Sequence, residues 1–411
     1  MSAECGIRNS GSGIAVRGGA AARSAAGAMR RVRLGDVAEE VRENWSGPTA
    51  DVPVVGLEHI EPDEIWLRKW EVNPDENTFS KAFRKGQLLF GRRRAYQKKL
   101  SLAPSDGICS GDITVIAAKS DKVVPSLLPF LLRTDKFFDY AIQGSAGSLS
   151  PRVKWAHLAK YEFDLPPIDE QKKLAELLWA ANDLKESYKK AITATDEMLK
   201  AKFREMFGDV GDDSSRGGAE ARRDDELREI RYLSIGEIGK VYTGSTPSMK
   251  VAEYYENKNV PFYKPSDFKC GLTILSTPEF YVDNRAESKC RMFNAGAVLV
   301  TCIATVGKVG LATCRGTCNQ QINFIDPNEN VDSRYLAFAM TFVGDKMAES
   351  AKASVVPIVN KSEFCGYKVP VPPLSLQREF VAIADKAESA KANLKKSIAA
   401  IDQVMKGLIN E

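Results

Sequence analysis

Histidine is nearly missing from this sequence: 411 residues contain only two, His59 and His157. They stand almost a hundred residues apart, and no serine, cysteine or carboxylate motif marks either as a catalytic base. Clustered metal ligands are lacking as well. The eight cysteines (Cys5, Cys109, Cys270, Cys290, Cys302, Cys314, Cys318, Cys365) are scattered, and the closest pair, Cys314 and Cys318, does not make a CxxC. That pattern reads as reduced thiols in a cytoplasm, with no metal site. Long apolar runs are absent. The longest nearly uncharged stretch, 295–306, falls well short of the ~20 residues of a membrane-spanning helix, and the first 30 residues hold no apolar core of a secretory signal. No GxxxxGK[ST] loop occurs, since Gly307-Lys308 is followed by Val309, and no GxGxxG opens a helix.

A strong charge bias is missing too. Fifty-eight Lys and Arg against 54 Asp and Glu give a formal charge of +4, too mild for a histone-like binder but compatible with a basic patch on one face. With 44% apolar and 27% charged residues, the bulk of the chain is an ordinary globular composition. Residues 1–28, made largely of Gly, Ala, Ser and Arg, have no periodicity and are expected to form a disordered extension; ordered sequence is expected from Met29, read as the real start rather than the end of a transit peptide. A second break follows Phe207. Gly208 suits a helix C′ position, and 208–229 reads as a Gly/Ser/Asp-rich linker.

What the chain does have is an internal duplication with a period of roughly 205 residues, domain-scale rather than solenoid. Arg33-Leu34-Gly35-Asp36-Val37 matches Ser234-Ile235-Gly236-Glu237-Ile238; 86–99 matches 296–309; 102–116 matches 311–325; LPPIDEQ (165–171) matches VPPLSLQ (371–377). Each half is predicted to hold a globular domain, 29–166 and 230–372, followed by a helical segment, 167–207 and 373–411. The predicted strands include 87–90, 113–117, 298–301 and 322–325; predicted helices include 127–140 and 333–346. The paired prolines bar helix before them, with Asp169 and Ser375 as expected N-caps.

Both long helices carry heptads. In the first the seam is read as Leu174, Leu177, Leu184 and Tyr188, with Ala181, Ala191, Thr195 and Met198; in the second as Phe380, Ile383, Leu394, Ile401 and Val404, with Ala387, Ala390 and Ser397. A 3.5-residue period over four heptads predicts that the two helices pair as an antiparallel coiled coil. The fold class expected is thus α+β: two tandem mixed α/β domains separated and joined by two long paired helices.

The strongest binding signal is GRRRAYQKK, 91–99. Arg92, Arg93 and Arg94 can fork onto guanine or bind phosphate, Lys98 and Lys99 suit phosphate, and Tyr96 can stack. Successive residues of an extended segment face opposite ways, so not all three arginines are expected to reach one duplex. The matching stretch of the second half keeps only Lys308. That half offers other polar readers, Ser245 and Thr246 in a TGSTP loop and Asn319, Gln320 and Gln321 beside a strand. Enzyme-like patterns are weak. Leu165 interrupts the Asn/Asp-Pro-Pro motif of adenine methyltransferases, and the nuclease-like set Asp267, Glu287, Lys289 is not repeated in the first half.

The tandem plan of domain, Pro-Pro…Gln helix, domain, Pro-Pro…Gln helix, together with the TGSTP loop, resembles the specificity subunit of a type I restriction–modification system over residues 30–411. The resemblance implies target-recognition domains that each read one half of a split double-stranded DNA site. It implies helices that space the domains and dock methyltransferase subunits, and no catalytic centre in this chain. Adenine methylation and ATP-dependent cleavage would belong to partner methyltransferase and restriction subunits, which would use S-adenosylmethionine, ATP and Mg; this chain would need no cofactor. Two departures are the extension 1–28 and the basic 91–99 in place of the small-residue loop 301–309. The competing readings are a structural coiled-coil adaptor, which salt-dependent DNA binding would exclude, and a nuclease or methyltransferase with unrecognised motifs, which an assay of the chain alone would reveal.

Overall fold

The computed structural model describes residues 29–72, 78–146, 151–208, 230–269, 271–352 and 356–410. The expected extension 1–28 and all but Gly208 of the expected linker 208–229 lie outside the described residues. The chain divides into two compact units, Met1–Ser187 with Ile398–Glu411, and Tyr188–Ser397.

In the first unit a fully antiparallel four-stranded sheet runs Ala38–Val41, Ile113–Ala118, Leu88–Gly91, Leu100–Leu102. A second, mixed sheet runs Glu71–Val72, Pro53–Val55, Gly107–Cys109, Lys81–Phe83. Val, Ile, Leu and Phe dominate the two central strands of the first sheet, Leu88–Gly91 and Ile113–Ala118, which bury both faces. The second unit repeats the plan. Its first sheet runs Gly239–Thr243, Ile322–Pro327, Val298–Thr301, Val309–Ala312 and adds Leu272–Leu275 in parallel; its second runs Phe280–Val282, Val260–Tyr263, Gly316–Cys318, Met292–Phe293. In each unit a short strand pairs antiparallel with the strand that precedes a long helix, Arg30–Arg33 on Glu162–Leu165 and Arg231–Ser234 on Lys368–Val371. The helix expected over 127–140 is broken into Leu128–Leu131 and Asp135–Gln143, because Thr134 accepts the Phe137 N–H and restarts it as an N-cap. The one expected over 333–346 extends to Ser333–Ala351. No helix among the described residues is long and apolar enough to cross a membrane.

The long helices span Ile168–Phe207 and Leu374–Asn410. They start one residue before Asp169 and Ser375, which are therefore not the caps. Pro167 and Pro373 accept the first helical N–H bonds, from Gln171 and Gln377. The Gln of each Pro-Pro signature then does the fastening. Gln171 is buried, accepts the Val124 N–H (2.9 Å) and donates to the Pro166 carbonyl (2.8 Å). Gln377 likewise accepts from Asp332 N–H (2.8 Å) and donates to the Pro372 and Asn330 carbonyls (2.7 and 3.0 Å). Both amides join the helix start to the globular core, so the repeated Gln is an internal staple.

Within each unit the two helices pack against one another and against the globular core. In the first, Ala175 and Leu178 are buried in a cluster that Leu174, Trp179, Met405, Leu408 and Ile409 border. In the second, Phe203 and Phe207 meet Phe380 edge-on at 5.3 and 5.6 Å. One ion pair occurs in each unit at repeat-related positions: Lys185 to Asp402 at 2.7 Å, and Lys391 to Asp196. In the second unit, contacts of 196 with 391 and of 203 with 380 run in opposite chain directions, so that pairing is antiparallel.

The expected seam is corrected. Leu177, Leu184 and Val404 are exposed, as are Met198 and Ala390; Leu174, Tyr188, Ile383, Leu394 and Ile401 are half-buried; of the principal seam residues only Phe380 is fully buried. The inward face of the first helix is Gln171, Ala175, Leu178, Asn182, then Leu199, Phe203 and Phe207; that of the second is Gln377, Phe380, Ala384, Ala387 and Lys391. The true stripe lies one residue further along for most of its length. Each helix must face its globular core as well as its partner, and the face that does so carries Ala, Gln, Asn and Lys, which a search for leucines passes over.

A candidate nucleic-acid interface

The basic segment 91–99 is the turn of a hairpin. Leu88–Gly91 pairs with Leu100–Leu102, and the Gly91 N–H donates to the Lys99 carbonyl at 2.9 Å. The second unit builds the same hairpin from Val298–Thr301 and Val309–Ala312, with the Thr301 N–H donating to the Lys308 carbonyl at 3.0 Å. Lys308 thus corresponds to Lys99, and the first turn is one residue longer than the sequence match of 86–99 with 296–309 implies. The extra residue lies between two left-handed positions common to both turns, Arg94 and Lys98 (φ 55° and 51°) in the first and Ala304 and Gly307 (φ 62° and 89°) in the second. Gly307 is required there: a Cβ would lie 2.1 Å from the Gly344 carbonyl oxygen.

Two further segments clamp each turn. The Arg94 N–H donates to the Pro151 carbonyl (3.2 Å) and the Val153 N–H to Arg92 (2.9 Å), so Arg93 faces Arg152 across an isolated bridge. In the second unit Ala304 N–H reaches Pro357 (2.8 Å), Val359 N–H reaches Cys302 (2.9 Å), and Ile303 faces Ile358. From the other side the Arg92 N–H donates to the Asp112 carbonyl (2.9 Å), and the Cys302 N–H to Gln321 (2.8 Å). Even the small turn there is repeated: Asp112 N–H donates to Ser110 Oγ (3.2 Å), Gln321 N–H to Asn319 Oδ1 (3.1 Å).

On this shared frame the side chains differ. In the first unit Arg152 forks onto Asp112 (Nε to Oδ1 2.6 Å, Nη2 to Oδ2 3.3 Å), and Arg93 Nη1 reaches Oδ2 at 3.5 Å. The Arg152 hydrogen bond, helped by the Arg93 charge, holds the Asp112 carboxyl below the usual carboxylate range. In the second unit the same place carries Ile303, Gln321 and Ile358. Beside them Thr246 Oγ1 donates to Gln320 Oε1 (2.7 Å) and Asn319 Nδ2 to Gln321 Oε1 (2.8 Å). Ser245 N–H and Gly244 N–H dock the TGSTP loop on Cys318 and Ile322 (both 2.9 Å).

The structure sorts the candidate residues. Arg94 and Tyr96 are exposed, Arg93 is half-exposed on Asp112, and Arg92 turns inward, its Nε buried with no hydrogen-bond partner. Lys98 lies at the surface, paired with Asp135 at 2.6 Å. Lys99 and Lys308 are corrected: their ammonium groups donate to the Leu57 and Phe268 carbonyls (2.5 and 3.0 Å), as an internal tie repeated in both units. Ser245 accepts the Arg291 N–H (2.9 Å), while Thr246 and Gln320 are exposed and lie together. Asp112, Arg152, Ile303 and Ile358 escaped the sequence reading, although Pro151-Arg152-Val153 against Pro357-Ile358-Val359 is a repeat block that would have found them. Both histidines are internal fittings: His59 Nδ1 accepts the Gly56 N–H (2.9 Å), and His157 stacks on Tyr140 at 4.3 Å.

Lys99→Met is expected to cost about 1–3 kcal/mol of stability by leaving the Leu57 carbonyl unsatisfied, while leaving the salt dependence of DNA binding unchanged. Denaturant unfolding and binding isotherms at several salt concentrations check both halves of that expectation.

Comparison with known proteins agrees with this architecture. The family described as type I restriction modification DNA specificity domain matches residues 228–403. The EcoR124I/EcoR124II specificity subunit of Escherichia coli is 30% identical over 170 residues, 39% of this chain and 41% of that subunit. The MjaIX specificity subunit of Methanocaldococcus jannaschii is 22% identical over 384 residues, 90% of this chain and 87% of that one. Among solved structures, a chain from work on complex assembly and conformational transition of the type I R-M system superposes with a TM-score of 0.57 at 19% identity, covering 93% of this chain and 96% of that one. The S subunit from M. genitalium gives 0.53 at 12% identity, covering 94% and 96%. The second half of the chain thus matches the type I restriction modification DNA specificity domain, and the chain as a whole is similar to type I specificity subunits over nearly its full length.

Proposed function

We propose that this chain is the non-catalytic DNA reader of a cytoplasmic type I complex, in which each unit recognises one half of a bipartite double-stranded site. Methyltransferase and restriction subunits would supply adenine methylation and cleavage, with S-adenosylmethionine, ATP and Mg bound to them and no cofactor in this chain. The observation that carries the reading is the hairpin platform built twice on one hydrogen-bond frame, with charged groups on one copy and aliphatic and amide groups on the other. A duplicated scaffold with divergent side chains at one place suits two readers with two targets. Partner docking is supported by Leu177 and Leu184, exposed seven residues apart on one helix face.

The test is binding of the full chain, assembled with methyltransferase subunits, to duplexes at several salt concentrations, and the methylated motif in cells with and without the gene. Sequence-dependent, salt-sensitive binding and loss of a split methylated motif are expected. Methyl transfer or cleavage by the chain alone, or no DNA binding by the complex, would exclude the reading.

A further inference from the structure

The two platforms differ in a way that separates the bases they can read. We infer that Arg93, Asp112 and Arg152 form a guanine-reading head in the first unit, and that Ile303, Gln321 and Ile358 make the equivalent head of the second unit one that favours the thymine methyl. This rests on the DNA-reading role proposed above and names the chemistry of each half-site.

Guanine presents two acceptors, N7 and O6, on its major-groove edge, and a guanidinium fork matches them. Arg152 spends only part of its donor set on Asp112, since Nε and Nη2 make those bonds, and a guanidinium carries five N–H groups. Its side chain remains 45% exposed, that of Arg93 38%, whereas the Asp112 carboxylate between them is 18% exposed. The carboxylate is thus a buttress. It fixes the plane of a long side chain before DNA arrives, which reduces the ordering cost of a directional contact. It also cancels one of the two positive charges, which makes the cluster poor at holding phosphate by charge alone. Lys98, exposed on the same turn, is better suited to that task.

The second unit cannot repeat this chemistry. Its bridge residues are isoleucines, Gln321 is engaged by Asn319, and no guanidinium occupies the position. Ile358 is 54% and Val356 57% exposed, an aliphatic patch whose complement in the major groove is the C5-methyl of thymine. The exposed Gln320 beside it carries an amide of the kind that pairs with adenine N6 and N7.

The test uses the full chain assembled with its methyltransferase subunits, selecting from a library of duplexes with both half-sites and the spacer randomised. The wild type is expected to select a split motif with guanine in one half. Arg152→Ala should cut preference at that base pair by about 10-fold or more, with the other half unchanged as the internal control for folding and assembly. Arg152→Lys keeps the charge but not the fork, and should retain affinity for random DNA while losing the same preference. Asp112→Asn should weaken preference at that position although Arg152 is intact, because the buttress acts through it. The triple change Arg93→Ile, Asp112→Gln, Arg152→Ile should move that position away from guanine. Unchanged preference in Arg152→Ala, a guanine-free first half, or an equal loss on every sequence with a lower salt slope would overturn the inference while leaving the DNA-reading role in place. A wild-type complex that selects no motif would overturn that role, and the inference with it.

Discussion

Leu178→Asp is expected to lower the unfolding midpoint of the first unit by roughly 10 °C, whereas Leu177→Asp, one residue away, leaves it nearly in place. Leu178 is 0% exposed in the core that the helix shares with Leu128 and Phe130; Leu177 is 52% exposed. A carboxylate forced into the first position has no partner, and leaving a buried charge uncompensated costs about 3–5 kcal/mol. For a unit of this size each kcal/mol moves Tm by about 2–4 °C. A surface substitution at the second position is worth about 0.5 kcal/mol. The readout is built in, because all five tryptophans, at 45, 66, 70, 155 and 179, belong to the first unit. Trp179 itself packs on Trp66 and Phe130 at 5.3 and 5.1 Å. Tryptophan emission during thermal unfolding therefore follows this unit alone. If the exposed leucines dock a methyltransferase subunit, Leu177→Asp keeps the transition but lowers the amount of that subunit recovered in co-purification. A folded Leu178→Asp with an unchanged midpoint, or a Leu177→Asp that unfolds, would show that the inward stripe has been misplaced.

The contrast between those neighbours marks where sequence was readable. The duplication, the two long helices and their pairing followed from the 206-residue match of heptads and the Pro-Pro…Gln starts, which are backbone-level signals. The phase of the stripe did not follow, because a helix packed on a core and a second helix at once buries Ala175, Asn182, Ala384 and Lys391, and hydropathy ranks those below the exposed leucines. The basic turn stands out from GRRRAYQKK as a candidate binding element, yet composition could not divide its members. Lys99 is consumed by the Leu57 carbonyl, and Arg152, fifty residues away, joins the cluster through Asp112. Such groupings depend on which loops the sheets bring together: the repeat of Pro151-Arg152-Val153 in Pro357-Ile358-Val359 marks the segments, and the repeated hydrogen bonds around them show which residues they meet.

Exchange of residues 230–371 for the matching domain of a relative is expected to change one half of the methylated motif completely and leave the other half untouched. The cut points are set by the structure. Arg231–Ser234 and Lys368–Val371 pair with each other, so both ends of the graft close one two-stranded ribbon. The platform Ile303, Gln321 and Ile358, with Thr246 and Gln320 beside it, travels whole. The staple Gln377 stays behind on the helix, but its partners Asp332 and Asn330 enter through backbone groups, which any donor sequence supplies. The graft must still bring an apolar surface for Phe203, Phe207 and Phe380, which pack on Tyr335 and Phe338 of the exchanged segment. A donor that replaces either aromatic by a small side chain should cost about 3–5 kcal/mol and fail to accumulate, a folding failure recognisable by absent protein. A donor that keeps them should give a stable chain. Its methylome should hold the old half-site read by Arg93, Asp112 and Arg152 joined to a new one. A change in both halves, or in neither, would mean that recognition is not divided between the two units.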